Sequence, residues 1–134
     1  MVETTLPECF IPGPKVAMVL GVPGIVRRLP TVLDEVKSVE EFFKRQNFDE
    51  VFVLTEEKAT KDEIQIFFDE QSAKCRRHKT KVKEEQKLDE KYTLVIYYSG
   101  HGELVGGTQC ICLDHEEKVY PLESKIRSFN NEHS

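Results

Sequence analysis

Segments rich in apolar residues recur along the chain, and three of them have the length of strands. Two are nearly continuous apolar runs, at residues 15–22 and 92–98, and the third covers residues 48–55. An apolar run of this length, without alternating polar residues, is typical of a strand that is buried on both faces of a parallel sheet. The pattern therefore predicts three buried strands.

Between the first two strands, apolar residues recur at helical spacing from about Thr31 to Gln46. Thr31 is the expected N-cap, and Asp34 and Glu35 fall in the first turn, where acidic side chains favour the helix dipole. Asn47 is a suitable residue at which the helix can stop. An amphipathic helix is predicted here.

A second helix is predicted after the second strand. Thr60 is its expected N-cap, and Glu63 stands three residues later, as in a capping box. The apolar stripe fades after Ala73, so the helix is predicted to end or fray there. Residues 76–91 then form a charged linker.

The residues after the third strand indicate small elements. The pattern predicts a tight turn at Gly106 and Gly107, a short strand at 109–113, a turn near Glu116, a further short strand around Val119 and a last helix from Leu122 to about Ser128. Such a segment has the form of a small β-hairpin followed by a helix.

The order of the larger elements, β-α-β-α-β, defines the expected fold class. Right-handed crossovers place the three strands in one parallel sheet of order 2-1-3 with helices on both faces, an α/β architecture. The chain of 134 residues is expected to form one domain over residues 15–134, after an irregular lead-in at residues 1–14.

Composition describes a folded protein with a heavily charged surface. Hydrophobic residues make up 39% and charged residues 32%, and the net charge is −5, so partners of the nucleic-acid or anionic-membrane class are not expected. No run approaches the roughly 18 apolar residues that span a bilayer, and the first residues do not form a signal peptide. Four unpatterned cysteines favour a reducing compartment. The expected location is cytoplasmic or inside an organelle, neither secreted nor membrane-spanning.

The third strand ends abruptly at Ser-Gly-His-Gly-Glu, residues 99–103. Residues at the carboxyl end of a buried strand emerge where α/β proteins place their chemistry. His101, between two glycines, is therefore a candidate catalytic residue. The same residues also suit an ordinary glycine-rich turn with an incidental histidine, and composition alone leaves both interpretations open.

The wider pattern resembles the caspase-like family of caspases, paracaspases and metacaspases. Arg28, Thr31 and Asp34 match the Arg-x-x-Thr-x-x-Asp pattern that opens the family's first helix. The similarity also includes Phe42, Phe48, Leu54-Thr55, Thr60 with Ile64, and KVYPLESKIRSF at 118–129, so it extends from about residue 15 to 129. It implies a three-layer αβα sandwich, here incomplete, with a small hairpin after the third strand.

The resemblance implies roles for three residues. His101 matches the catalytic histidine, a general acid/base, and Gly102 matches the residue whose backbone N–H helps to form the oxyanion hole. Arg28 matches the arginine that binds an acidic P1 side chain in caspases. The form SGHG is more similar to metacaspases and paracaspases, which prefer a basic P1 residue. Arg28 can equally be a surface arginine beside Arg27.

The family's nucleophilic cysteine stands at the end of a fourth strand, and the chain ends 33 residues after His101, before that strand. Cys110 and Cys112 are too close to His101 in sequence and are expected to serve packing. With His115 they supply at most three zinc ligands, without the knuckle spacing of structural sites. No metal and no cofactor are expected.

Two functions follow from these residues. The first is a caspase-like pseudo-peptidase, a structural or interaction subunit of a larger assembly. The alternative is the N-terminal part of a cysteine endopeptidase whose nucleophile lies on another segment or chain. A peptide substrate is expected only in this second case. In both, the strand from Tyr92 to Tyr98 is an unpaired sheet edge, so a protein partner or a second copy is expected to cover it.

Overall fold

The computed structural model describes residues 12–113 and 118–133. In chain order the elements are β1 (Lys15–Val22), α1 (Val32–Arg45), β2 (Glu50–Thr55), a short 3₁₀ helix (Glu56–Lys58), α2 (Lys61–Glu85), β3 (Thr93–Gly100), β4 (Gly102–Val105), β5 (Thr108–Leu113), β6 (Lys118–Tyr120) and α3 (Leu122–His133). Residues 12–14 form no regular element, and the rest of the predicted lead-in lies outside the described residues, as does the predicted turn near Glu116.

The main sheet has β1 at its centre, with β2 and β3 parallel to it on either side. β1 pairs with β3 along its whole length, from Lys15 opposite Thr93 to Val22 opposite Gly100. The predicted parallel sheet of order 2-1-3 is confirmed. The carboxyl ends of all three strands therefore meet at one edge.

Alternate residues of β1 face opposite sides of the sheet, as the period of a strand requires. Val16, Met18, Leu20 and Val22 pack with residues of α2, β5 and α3. Ala17 and Val19 pack with residues of α1 on the other face. Because both faces are covered by helices, the fold is the predicted three-layer α/β sandwich.

The ends of α1 match the prediction except in one detail. Thr31 precedes the helix, but its side chain makes no capping hydrogen bond, because its backbone (φ −97°, ψ −3°) already lies near the helical region. Asn47 follows the last turn with φ of 60°, so it ends the helix in the left-handed conformation.

The predicted end of α2 was wrong. The helix has 25 residues, and the stretch expected to be a charged linker continues it to Glu85. Lysine, arginine and glutamate have good helix propensity, so the helix persists after its apolar stripe has faded. Gln86 ends it with φ of 56°. At the other end, the Thr60 hydroxyl accepts a hydrogen bond from the Glu63 N–H at 3.1 Å, as predicted.

A second, antiparallel sheet has the order β4-β5-β6. β5 and β6 pair as the predicted hairpin. β4 was not predicted as a strand; it pairs with β5 through the Gly106 and Gly107 turn, whose φ values of 56° and 81° are typical of a type I′ turn. α3 extends to His133, beyond the predicted end near Ser128, because the His133 Nε2 contacts the Ser72 hydroxyl at 3.0 Å and its ring lies 4.6 Å from Phe129.

Within residues 12–113 and 118–133, none of the helices combines the length and the apolar character that crossing a membrane requires.

Candidate active site

β3 continues two residues beyond its predicted end, through Ser99 and Gly100. The Ser99 hydroxyl donates a hydrogen bond to the Glu35 carboxylate in the first turn of α1. At Gly100, φ is +156° and a Cβ would lie 2.5 Å from the Val22 carbonyl oxygen, so only glycine fits. The sheet thus delivers His101 at a fixed place beside the end of β1.

The His101 imidazole is held by a main-chain group. Its Nε2 lies 2.6 Å from the carbonyl oxygen of Arg27, in the loop that follows β1. A carbonyl oxygen can only accept, so Nε2 carries the proton and donates. In the neutral ring, Nδ1 is then the acceptor, and this nitrogen can take a proton from a thiol or a water.

The backbone of Gly102 is oriented by the hairpin register. The His101 carbonyl accepts hydrogen bonds from the Cys112 N–H at 3.1 Å and from the Tyr98 hydroxyl at 2.6 Å. His101 and Cys112 therefore form a hydrogen-bonded pair of the antiparallel ladder. The next pair, Gly102 with Ile111, is a non-hydrogen-bonded pair. The Gly102 N–H consequently points away from β5, an orientation suited to an oxyanion donor.

A cavity of about 190 Å³ adjoins His101, and we call it the His101 cavity. It is lined by the end of β1, the loop that follows it, His101 and the end of β5: Val22, Gly24, Ile25, Val26, Arg27, His101, Cys112 and Leu113. Ile25 and Val26 are 62% and 85% exposed, so the loop presents apolar side chains to solvent at the cavity mouth.

Arg28 does not line the His101 cavity. Its guanidinium pairs with the Glu56 carboxylate at 3.0 Å, and half of its side-chain surface is exposed. Arg27 lines the cavity instead, one residue earlier in the chain. The assignment of Arg28 to substrate binding stays a prediction.

Cys112 lies in the same cavity as His101, although sequence reasoning assigned it to packing. A two-residue turn at Gly106 and Gly107 fixes residue 112 opposite residue 101, so counting outward from the turn could have shown the proximity. Burial first, and then the charge of Glu103, raise the pKa of the Cys112 thiol. An activated nucleophile needs a lowered pKa, so Cys112 is not prepared for attack.

The described residues contain no group of three or more histidine, cysteine, aspartate or glutamate side chains that could hold a metal ion. Cys110 is buried, and its thiol lies 3.6 Å from the Thr108 carbonyl oxygen. His115, which with Cys110 and Cys112 would complete a set of three zinc ligands, lies outside the described residues.

The arrangement provides two of the three groups that covalent acyl transfer needs. An oriented histidine can move a proton, and an outward backbone N–H can stabilise an oxyanion. Neither group forms the covalent bond, which requires a nucleophile within reach of Nδ1.

A model of the caspase domain family matches residues 15–134 of the chain. Comparisons with curated proteins and with solved structures give no match.

Proposed function

Because the chain belongs to the caspase domain family, we propose that it supplies the histidine half of a cysteine-endopeptidase active site. In this proposal, a further segment of the polypeptide or a second chain docks beside β3 and brings the nucleophilic thiol. The His101 side chain and the Gly102 N–H are the groups that this chain contributes. Peptides are the substrates.

The contact between the His101 Nε2 and the Arg27 carbonyl carries the proposal. It leaves Nδ1 to accept the thiol proton, so the thiolate can attack the peptide carbonyl carbon. The Gly102 N–H then donates to the oxyanion that forms. As the intermediate collapses, the imidazolium gives its proton to the leaving amine.

The exposed edge of β3 supports the docking step. β3 has eight residues without proline, it pairs with β1 on one side, and no other described strand pairs with it on the other. Such an edge can accept an added strand or aggregate. A strand added in parallel would bring its own carboxyl end close to His101, which directly follows β3.

A second candidate is a non-catalytic structural subunit, the pseudo-peptidase of the sequence analysis. It is favoured by the burial of the cysteine thiols in the described part of the chain. Burial raises the pKa of Cys75 and of Cys112, and Cys110 is buried on β5. None of these three thiols is prepared as a nucleophile.

The orienting contact can be tested in the isolated chain by ¹⁵N NMR of the histidine side chains at pH 8. We expect His101 to populate the tautomer with the proton on Nε2. The other tautomer, or fast exchange between the two, would remove the basis of the proposal.

The function itself is tested on the native assembly, purified through a tag on the chain from cells that express it. Turnover is measured with fluorogenic peptides that carry Asp or Arg at P1. We expect turnover by the wild-type assembly, loss of about a hundredfold or more in His101→Ala, and no loss in the control His78→Ala.

The three outcomes separate the candidates. Loss confined to His101→Ala supports the histidine half-site, and the preferred P1 residue identifies the specificity. An intact assembly without turnover supports the structural subunit. Turnover that His101→Ala leaves unchanged overturns the proposal, because the activity then arises elsewhere.

A further inference from the structure

A second cavity, of about 720 Å³, lies near the amino end of β3, at the opposite end of the strand from His101. Its walls come from the C-terminal halves of α2 and α3, and from the segment that enters β3. It shares no lining residue with the His101 cavity. Cavities that hold small molecules in proteins usually measure about 300–1,000 Å³, so this volume suits a ligand.

The lining carries a positive charge that contrasts with the chain as a whole. Lys79, Lys83 and Lys91 line the cavity, and none of them makes an ion pair within the part of the chain that the structure describes. The acidic residue Glu90 also lines it, and lies 3.9 Å from Lys87. Three lysines against one glutamate leave two positive charges, in a protein of net charge −5.

The interior surface of the cavity is largely apolar. Leu94 and Phe129 line it together with Val82 and Leu88. Tyr92 also contributes its ring, since its hydroxyl is engaged with the buried Gln71 side chain. A ligand with an apolar body would remove these side chains from water.

One polar atom of the lining lacks a partner. The Nε2 atom of His78 is buried and has no hydrogen bond to any described residue, although His78 lines the cavity. A buried polar atom without a partner destabilises the fold relative to a satisfied one. A protonated Nε2 can donate to an anionic oxygen of a bound molecule.

We propose that the second cavity binds a small amphipathic anion, a molecule that joins a carboxylate or a phosphate to an apolar body. The lysines attract and hold the anionic group, His78 donates to it, and the apolar body lies on Leu94 and Phe129. This site is separate from the proposed peptidase half-site, and neither proposal depends on the other.

The test uses the full chain and a fluorescent probe, anilinonaphthalene sulfonate, whose sulfonate stands in for the carboxylate or phosphate. We expect saturable binding that weakens as salt is raised, because screening reduces the attraction of the lysines. Phenylnaphthylamine, which has the same rings without the charge, should bind more weakly and without dependence on salt. Competition with decanoate and with decyl phosphate then identifies which anionic group displaces the probe better.

Two pairs of matched variants locate the site. The double variant Lys79→Gln, Lys83→Gln should weaken probe binding about fivefold, whereas Lys37→Gln on α1 should not change it. Asn130→Trp places a large ring in the cavity lining and should abolish binding of the probe. Asn131→Trp lies on the same helix but outside the lining, and it should leave binding unchanged.

Loss of binding in Asn130→Trp and in the lysine double variant, each with its control unchanged, supports the proposal. Equal binding by all four variants overturns it, since the probe then binds another apolar surface such as the β3 edge. Failure of both decanoate and decyl phosphate to displace the probe also overturns it. All five substituted positions are exposed, and circular dichroism of each variant checks that it folds.

Discussion

The two cavities at opposite ends of β3 are built from different kinds of group. At the His101 cavity, the groups that matter are main-chain atoms: the Arg27 carbonyl, which binds the imidazole, and the N–H of Gly102, the residue after His101, which the hairpin register orients. In the second cavity, the groups that matter are side chains, namely lysines and apolar residues of the lining. The first therefore depends on backbone geometry, and the second on side-chain composition.

This difference predicts different sensitivity to substitution. A site made of main-chain groups tolerates changes in many neighbouring side chains, but it fails where a glycine must let two backbones approach. A site made of side chains tolerates small backbone shifts, but it loses affinity with each charge that is removed.

The largest effect is expected from Gly100→Ala. The added Cβ would lie 2.5 Å from both the Val22 carbonyl oxygen and the Tyr98 hydroxyl, so the strands or Tyr98 must move. We expect a loss of about 3 kcal/mol in the free energy of unfolding, measured by urea denaturation.

Gly106→Ala is the matched control for that substitution. Gly106 also has positive φ, but nothing lies within 4 Å of its added Cβ. The cost should be the backbone strain alone, about 1 kcal/mol. Equal losses in the two variants would contradict the view that close approach of β1 and β3 requires the glycine.

A smaller effect is expected at Tyr92, beside the second cavity. Burial is the main cause that raises the pKa of Tyr92 to about 12. An unfolded tyrosine ionises near pH 10, at about its ordinary value, so above that pH the unfolded state binds fewer protons than the folded state. The stability contributed by the protonated hydroxyl is present below pH 10 and is lost as pH rises towards 12.

Comparison of wild type with Tyr92→Phe isolates this contribution. Between pH 9.5 and 11.5, wild type should lose about 1 kcal/mol more of its unfolding free energy than the variant, by chemical denaturation at each pH, because solvent screens part of the effect at this half-buried hydroxyl. Other groups, including the buried Tyr120 whose pKa is also raised, titrate in both proteins and cancel. Parallel losses in the two proteins would show that Tyr92 does not carry the effect.

The smallest effect concerns the thiol of the His101 cavity. Because the charge of Glu103 helps to raise the pKa of Cys112, Glu103→Gln should lower that pKa and increase the thiolate fraction. Alkylation of Cys112 by iodoacetamide at pH 8, followed by peptide mass spectrometry, should become about twofold faster. The exposed Glu84→Gln should leave the rate unchanged, and a slower rate in Glu103→Gln would contradict the assignment.

Much of the fold could be predicted because apolar periodicity encodes it. β1 was predicted with its observed bounds, and the sheet order followed from the handedness of crossovers. The length of α2 could not be predicted from its apolar stripe. The residues that follow Cys75 depend on helix propensity, and apart from the partly covered His78 and Val82 they bury almost no surface.

The site was less predictable, because half of it is main chain. The resemblance to a known family suggested His101 and Gly102 from residue types alone, and their roles stay a prediction. The Arg27 carbonyl has no signature in a residue type, and only folding of the β1 loop brings it to the imidazole. The proximity of Cys112 to His101 was missed because distance along the chain does not measure distance across a hairpin.

The length of α2 has a consequence for the second cavity, because the C-terminal end of the helix forms part of its wall. A helix of 25 residues is about 37 Å long, whereas the eight residues of β3 span only about 26 Å, so α2 is about two turns longer than the strand. The helix residues after Cys75 are exposed apart from the partly covered His78 and Val82. Turns with so little tertiary support open most readily, and their amides should exchange with solvent before those of the sheet. Those same turns carry Val82 and Lys83 in the wall of the second cavity. A molecule bound there would therefore suppress the fraying of α2, and its affinity would be linked to the order of the helix end.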